Sequence, residues 1–259
     1  MKKSSLIAFA IFITSFILFS SCSDSDIPKA SDELLFREVQ DEVYSTTIEE
    51  EAFINAEEAV KAFTVSGFAK SGNAGLVVKK KSDSKDFPID YQIDYGNRYV
   101  DKNGNVYKGV INQTVLSKKE SEFQFDKFYI NDNLVEGSKK VKIIKAGVIN
   151  SLSDVKITNN KSNQIKYRIV ERQRIIVDNN NTVDVLTDDS YIITGSCVGN
   201  IFKNGNEFEY NFDIEKPLKY VVGQKNYVSG ITIIRIGTST HYTNYGVGEK
   251  DKNATWLFR

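Results

Sequence analysis

The chain has 259 residues, with 34 basic and 34 acidic side chains, one histidine and two cysteines. That balance supplies no clustered positive excess for neutralising phosphates, so a nucleic-acid partner is excluded. One histidine and two cysteines also leave too few ligands for a zinc or other His/Cys transition-metal centre, and no disulfide framework.

The amino terminus runs Met1-Lys2-Lys3, then an apolar stretch from Leu6 to Phe19, then Ser20-Ser21-Cys22. Basic residues, a short apolar run and small residues before a cut site make residues 1–21 a signal peptide, and the run is too short for a transmembrane helix. Leu18-Phe19-Ser20-Ser21-Cys22 resembles the lipobox of bacterial lipoproteins, with Phe19 where leucine is usual. The resemblance implies lipidation at Cys22, whose thiol would carry a diacylglyceryl group and become the first mature residue. Each buried methylene contributes about 0.8 kcal/mol, so the acyl chains alone would hold the protein at a membrane. Ser23-Asp24-Ser25-Asp26 resembles the acidic surface-export signal of Bacteroidetes lipoproteins, and reads equally well as a solvated tether. Residues 22–30, which include Pro28, are taken as the lipidated tether.

Residues 31–63 form the next segment. Leu34, Leu35, Val39 and Val43, then Phe53, Ala56, Val60 and Phe63, recur at helical spacing, which predicts one or two amphipathic helices with a break near Ser45-Thr46-Thr47. The glutamates between them are expected to face solvent.

Residues 64–259 have the texture of an antiparallel β domain, with β-branched and aromatic runs parted by Asn, Asp, Gly and Ser. Strands are predicted at Phe123–Phe125, Val141–Ile144, Ile165–Ile169, Arg174–Val177, Tyr191–Thr194, Glu207–Ile214, Ile231–Ile236 and Thr255–Phe258. In Glu207–Ile214 and Ile165–Ile169 the alternation places the apolar residues on the buried face. Lys79-Lys80-Lys81 and Lys139-Lys140 read as solvated strand ends. Asn103-Gly104 and Asn204-Gly205 each suit the centre of a two-residue type I′ hairpin. The first would set Val100 opposite Tyr107, Arg98 opposite Gly109 and Gly96 opposite Ile111. The second would set Ile201 opposite Phe208, Gly199 opposite Tyr210, Cys197 opposite Phe212 and Gly195 opposite Ile214, making Cys197 a small core residue. Tyr95-Gly96 with Asp101-Lys102-Asn103 recurs as Tyr245-Gly246 with Asp251-Lys252-Asn253; two related halves or shared turn chemistry account for it equally.

Chemical motifs are sparse. Asp101–Asn105 lacks the glycine and glutamate positions of an EF-hand, and Asp184, Asp188 and Asp189 read as an acidic turn. His241 reads as a hydrogen-bonded strand residue with no serine nucleophile motif to serve. Paired carboxylates, which meet only in a fold, stay open. Tyr91, Tyr95, Tyr99, Tyr107, Tyr129, Tyr242 and Tyr245 read mainly as sheet fillers, and would suit sugar or protein recognition if exposed together.

Tyr95-Gly96 with its hairpin, Phe128–Gly137, Asp189–Gly195 and Tyr242–Gly246 together resemble a family of uncharacterised lipoproteins of the Bacteroidetes, from about residue 88 onward. Such proteins often carry Cys-Asp-Asn before the last strand, where this chain has Lys250-Asp251-Lys252-Asn253. The resemblance implies a lipid-anchored envelope protein and transfers no active-site or ligand-binding residue.

The expectation is therefore an all-β fold of antiparallel hairpins in a meander, as a sandwich, barrel or large twisted sheet, with a short N-terminal helical segment. Its function is read as non-enzymatic, in adhesion or envelope assembly at the outer membrane or cell surface, on the periplasmic or external side. No cofactor or metal is expected; the membrane is a partner through the lipid, and a protein or glycan ligand is the further partner. A glycan-binding accessory lipoprotein and a carboxylate-dependent hydrolase are the alternatives.

Overall fold

A computed structural model describes residues 45, 48–64, 75–101, 104–178, 189–203, 205–222, 227–247 and 255–258, with residues 178, 247 and 255–258 described by backbone alone. Ser45 and residues 48–64 are helical, and residues 48–64 are called α1 here. Thirteen strands follow: β1 (Val77–Lys80), β2 (Ile89–Asp94), β3 (Tyr99–Val100), β4 (Val106–Ser117), β5 (Glu120–Ile130), β6 (Asn133–Lys145), β7 (Val148–Asn159), β8 (Gln164–Asp178), β9 (Ser190–Lys203), β10 (Asn206–Val221), β11 (Ser229–Ile236), β12 (Ser239–Val247) and β13 (Thr255–Phe258). They form one antiparallel sheet in sequence order, with the short β3 set aside against β4. The sheet is an open meander, so the all-β expectation holds in its single-sheet form. Residues 31–44, 46 and 47 of the expected helical segment lie outside the described residues, as do Asp184 and Asp188 of the acidic turn and Cys22.

Loop chemistry sets the register. Lys203 pairs with Asn206, and the ladder runs through Ile201–Phe208, Gly199–Tyr210 and Cys197–Phe212 as the Asn-Gly turn requires. The expected Gly195–Ile214 pair does not form, because after Asp213 β10 bulges around Pro217 and resumes at Leu218 opposite Ile193. The first Asn-Gly hairpin differs. Val100 pairs with Val106 and Tyr99 with Tyr107, one residue off the two-residue register. The Gly104 N–H donates to the Asp101 carbonyl (3.1 Å) and Gly104 has a φ of 83°, so three residues separate Asp101 from Asn105. Ile111 then pairs with Ile93 of β2 in place of Gly96.

The sheet curls round α1. Glu51 of α1 accepts hydrogen bonds from Tyr220 of β10 (3.1 Å) and from the Asn105 amide beside β4. In a flat sheet β4 and β10 stand six spacings apart, about 29 Å, far beyond the reach of one side chain. Bulges supply the bend: β4 and β5 slip register at Lys108/Val110, β5 and β6 at Phe125/Phe128. Inside, Phe53 meets Phe123 edge-on at 5.2 Å, Phe63 meets Tyr91 at 6.2 Å, and Tyr95 stacks on Tyr107 at 5.2 Å. Phe53, Ala56 and Val60 are buried as the helical spacing predicts.

One strand is inverted. In β8 the expected core residues Tyr167 and Ile169 are 47 % and 50 % exposed, while Lys166 and Arg168 are 2 % and 1 % exposed. Lys139 is buried as well, so the reading of Lys139-Lys140 as a solvated pair holds only for Lys140.

Close backbone approach fixes Gly195, which has a φ of 132° and where a β-carbon would lie 2.0 Å from the Glu171 carbonyl oxygen. At Gly205, with a φ of 79°, a β-carbon would meet nothing within 4 Å. Gly195→Ala is expected to cost about 3 kcal/mol or more, through strain and overpacking together. Gly205→Ala should cost only about 1 kcal/mol, the left-handed backbone penalty. Urea denaturation midpoints of the two variants test the difference.

Candidate functional site

The inverted strand and the helix carry complementary charges. Glu49 and Glu50, at 3 % and 5 % exposure, face the sheet, contrary to the expectation that the acidic face is wet. Arg168 donates to Glu49 at 3.1 Å, and Ser153 donates to the same carboxylate. Lys139 bridges Glu50 at 3.3 Å and Glu49 at 3.6 Å, and Arg174 bridges Glu57 at 3.0 Å. The Lys139 and Arg174 cations also lie over the Phe53 ring, at 4.5 and 4.7 Å. Lys166 reaches Ser45 at 3.4 Å. The cations belong there because each ionised carboxylate taken out of water needs a paired charge.

Burial raises the Glu50 carboxyl, but Lys139, Arg174 and Arg172 together outweigh it and hold Glu50 below its ordinary value. At Glu57 burial wins over Arg174, so that carboxyl stays above the usual range.

A second cluster brings two carboxylates together. Asn105 Nδ2 donates to Glu51 and, at 3.2 Å, to Asp101. Tyr107 donates to Asp101 at 2.9 Å, and Asn131 donates to Asn105 at 3.3 Å. Burial, followed by the charge of Asp101, raises the Glu51 carboxyl above its ordinary 4.5 in spite of the Tyr220 and Asn105 donors. Sequence reasoning missed this pair, since residues 51 and 101 share no spacing rule.

The remaining candidates are structural in their surroundings. Cys197 is a small buried residue with its Sγ 3.6 Å from the Tyr210 hydroxyl. His241 is buried on β12. Asp189 is buried and accepts from Tyr191 at 2.8 Å. Tyr91, Tyr95, Tyr107 and Tyr245 are core residues, and Tyr99, Tyr129 and Tyr242 are half-buried. Both Tyr-Gly pairs use one local device: Gly96 N–H donates to Asp94 Oδ1 (2.8 Å) and Gly246 N–H to Asn244 Oδ1 (3.0 Å). The two sites thus share one local turn hydrogen bond.

The opposite face of the sheet carries a shallow groove of about 620 Å³ crossing β5 to β9. Its charges neutralise one another within the chain, Lys142 with Glu120 at 2.7 Å and Lys140 with Glu122 at 3.1 Å, and Gln173 donates to Asn150 at 3.0 Å. None of the seven tyrosines singled out in the sequence lines it. Among the described residues no group of three His, Cys, Asp or Glu side chains could hold a metal ion. No known protein family, curated protein or solved structure matches the chain.

Arg168→Met is expected to destabilise by about 3 kcal/mol or more, because it leaves Glu49 buried beside a lost cation, whereas Glu49→Gln with Arg168→Met should cost less than the sum of the single changes. Denaturation of the four species in a double-mutant cycle measures this. The Glu51 carboxyl, raised on folding, contributes stability that is fully present below pH 4.5 and lost as the pH climbs through its folded value. Glu51→Gln should therefore raise stability at pH 7 and flatten the profile above pH 4.5. Thermal denaturation across that range is the check. Glu50, lowered on folding, acts in the opposite sense and loses its contribution as the pH falls through its folded value.

Proposed function

We propose that the chain is a lipid-anchored protein of the outer membrane or cell surface that works without catalysis, in adhesion or envelope assembly. The observation that carries the reading is the commitment of three interior cations to α1: Lys139, Arg168 and Arg174 pair with Glu49, Glu50 and Glu57. A helix that fills the sheet's inner side leaves the opposite face and its groove as the surface offered to a partner. The Cys22 lipobox supplies the membrane attachment and the sheet needs no membrane-facing feature of its own. A peptide or glycan is the ligand chemistry that suits the groove, whose lining mixes amide, carboxylate and ammonium groups.

The Glu51–Asp101 cluster favours a second reading, a carboxylate-dependent hydrolase. Such enzymes use two neighbouring carboxyls of unequal acidity, and Glu51 is the raised member. Against it, Tyr107, Tyr220 and Asn105 already occupy both carboxylates.

Cells fed radioactive palmitate are expected to label the wild-type chain, and Cys22→Ala should abolish the label and release the protein from the membrane fraction. An unlabelled wild type refutes the anchor. A deletion strain with normal attachment and envelope integrity refutes the adhesion and assembly role. Polysaccharide or peptide hydrolysis that Glu51→Gln and Asp101→Asn each abolish would replace the non-catalytic reading by the second one.

A further inference from the structure

The inversion of β8 leaves apolar side chains on the face away from α1. Ile169 pairs with Val198 across β8 and β9, at 50 % and 46 % exposure. One step along the strands Tyr167, 47 % exposed, packs edge-on against Phe202 at 5.6 Å, and Phe202 is paired with Ile165. A contiguous apolar patch in the middle of a sheet face, rimmed by charge, is the kind of surface that another protein covers.

We infer that this face is the interface of a symmetric dimer, a second copy of the chain packing sheet on sheet about a two-fold axis parallel to the strands and midway between β8 and β9. The register makes this face complementary to a second copy of itself. One row across the face reads Lys156, Tyr167, Asn200, Glu209, and the next reads Asp154, Ile169, Val198, Asn211. An axis along the strands turns each row end for end onto itself. Lys156 then lies over the partner's Glu209, Ile169 over the partner's Val198, and Asp154 over the partner's Asn211. The row beyond sets Ile165 over the partner's Phe202. No two like charges meet in these rows, and the apolar residues meet one another. A two-fold axis across the strands through the second row would instead set Asp154 against its own copy, which like-charge repulsion disfavours. Lys156 already bridges Glu136 at 3.2 Å while about a third of its side chain stays exposed, and an ammonium with three donors can take a second carboxylate. Self-complementarity of this kind is what an isologous interface requires, and facing sheets pack about 10 Å apart. The inference does not rest on the lipid reading.

The test uses the full chain, purified in nonionic detergent from whichever cell fraction holds it and followed by sedimentation velocity. A dimer is expected. Lys156→Glu and Glu209→Lys should each weaken it about tenfold, two symmetric charge pairs being turned repulsive in each case. The double variant K156E/E209K should recover most of the loss. Circular dichroism keeps misfolding apart from dissociation. In an equal mixture of ¹⁴N and ¹⁵N chains, carbodiimide should join Lys156 to Glu209 across the isotopes. A wild type that stays monomeric throughout the micromolar range overturns the inference, as does a dimer indifferent to both single reversals or one whose double variant shows no rescue.

Discussion

Glu49 and Glu50 are carboxylates held out of water on a helix, and the sheet is organised to meet them. An ion moved into a protein interior costs several kcal/mol even after relaxation, so the cost is met only where cations and hydrogen-bond donors converge on it. Arg168, Lys139 and Ser153 converge on Glu49, and Lys139 and Arg174 on Glu50. Those demands come from three strands, β6, β7 and β8, and fix which way each faces. A one-residue slip of β8 would turn Lys166, Arg168, Arg172 and Arg174 outward together, take Arg168 from Glu49 and Arg174 from Glu50 and Glu57, and leave Lys139 and Ser153 as what remains for Glu49 and Glu50. The ion pairs add specificity to a fold whose stability comes chiefly from aromatic and aliphatic burial around Phe53, Tyr95, Tyr107, Phe123 and Phe128.

Curvature follows from the same helix. Strands of 14 to 16 residues, as in β8, β9 and β10, are much longer than the five or six usual in globular proteins. Long strands accumulate twist, and the bulges at Lys127 of β5, opposite Gly109, and around Pro217 of β10 convert twist into a bend that lets β4 and β10 approach one glutamate. At Gly109 a β-carbon would lie 2.0 Å from the Lys127 carbonyl oxygen, so the bend is also written into the choice of glycine there.

Much of this was legible in the residues. The β class, the meander and the β9–β10 register follow from alternation and from Asn204-Gly205, because turn type dictates pairing. Asn103-Gly104 misled by one residue, since the same dipeptide also serves a three-residue loop with Gly104 in the left-handed position. The failures at Glu49, Lys139 and β8 share one cause. Alternation identifies two chemically different faces without saying which is inside, and a polar face looks the same whether water or a charged helix neutralises it. Only the meeting of residues 119 positions apart, Glu49 and Arg168, decides it. The Glu51–Asp101 cluster was hidden for the same reason.

The placement of α1 has a consequence for biogenesis. Glu51 must wait for Tyr220, 169 residues later in the chain, before its last partner exists. Contacts so distant in sequence form late, since loop closure has to precede their reward. While synthesis proceeds from the amino terminus, the glutamates of α1 remain hydrated and charged. A segment with that character resists premature collapse and self-association, so the element that ends up at the centre also helps to keep the incomplete chain soluble until the last strands arrive.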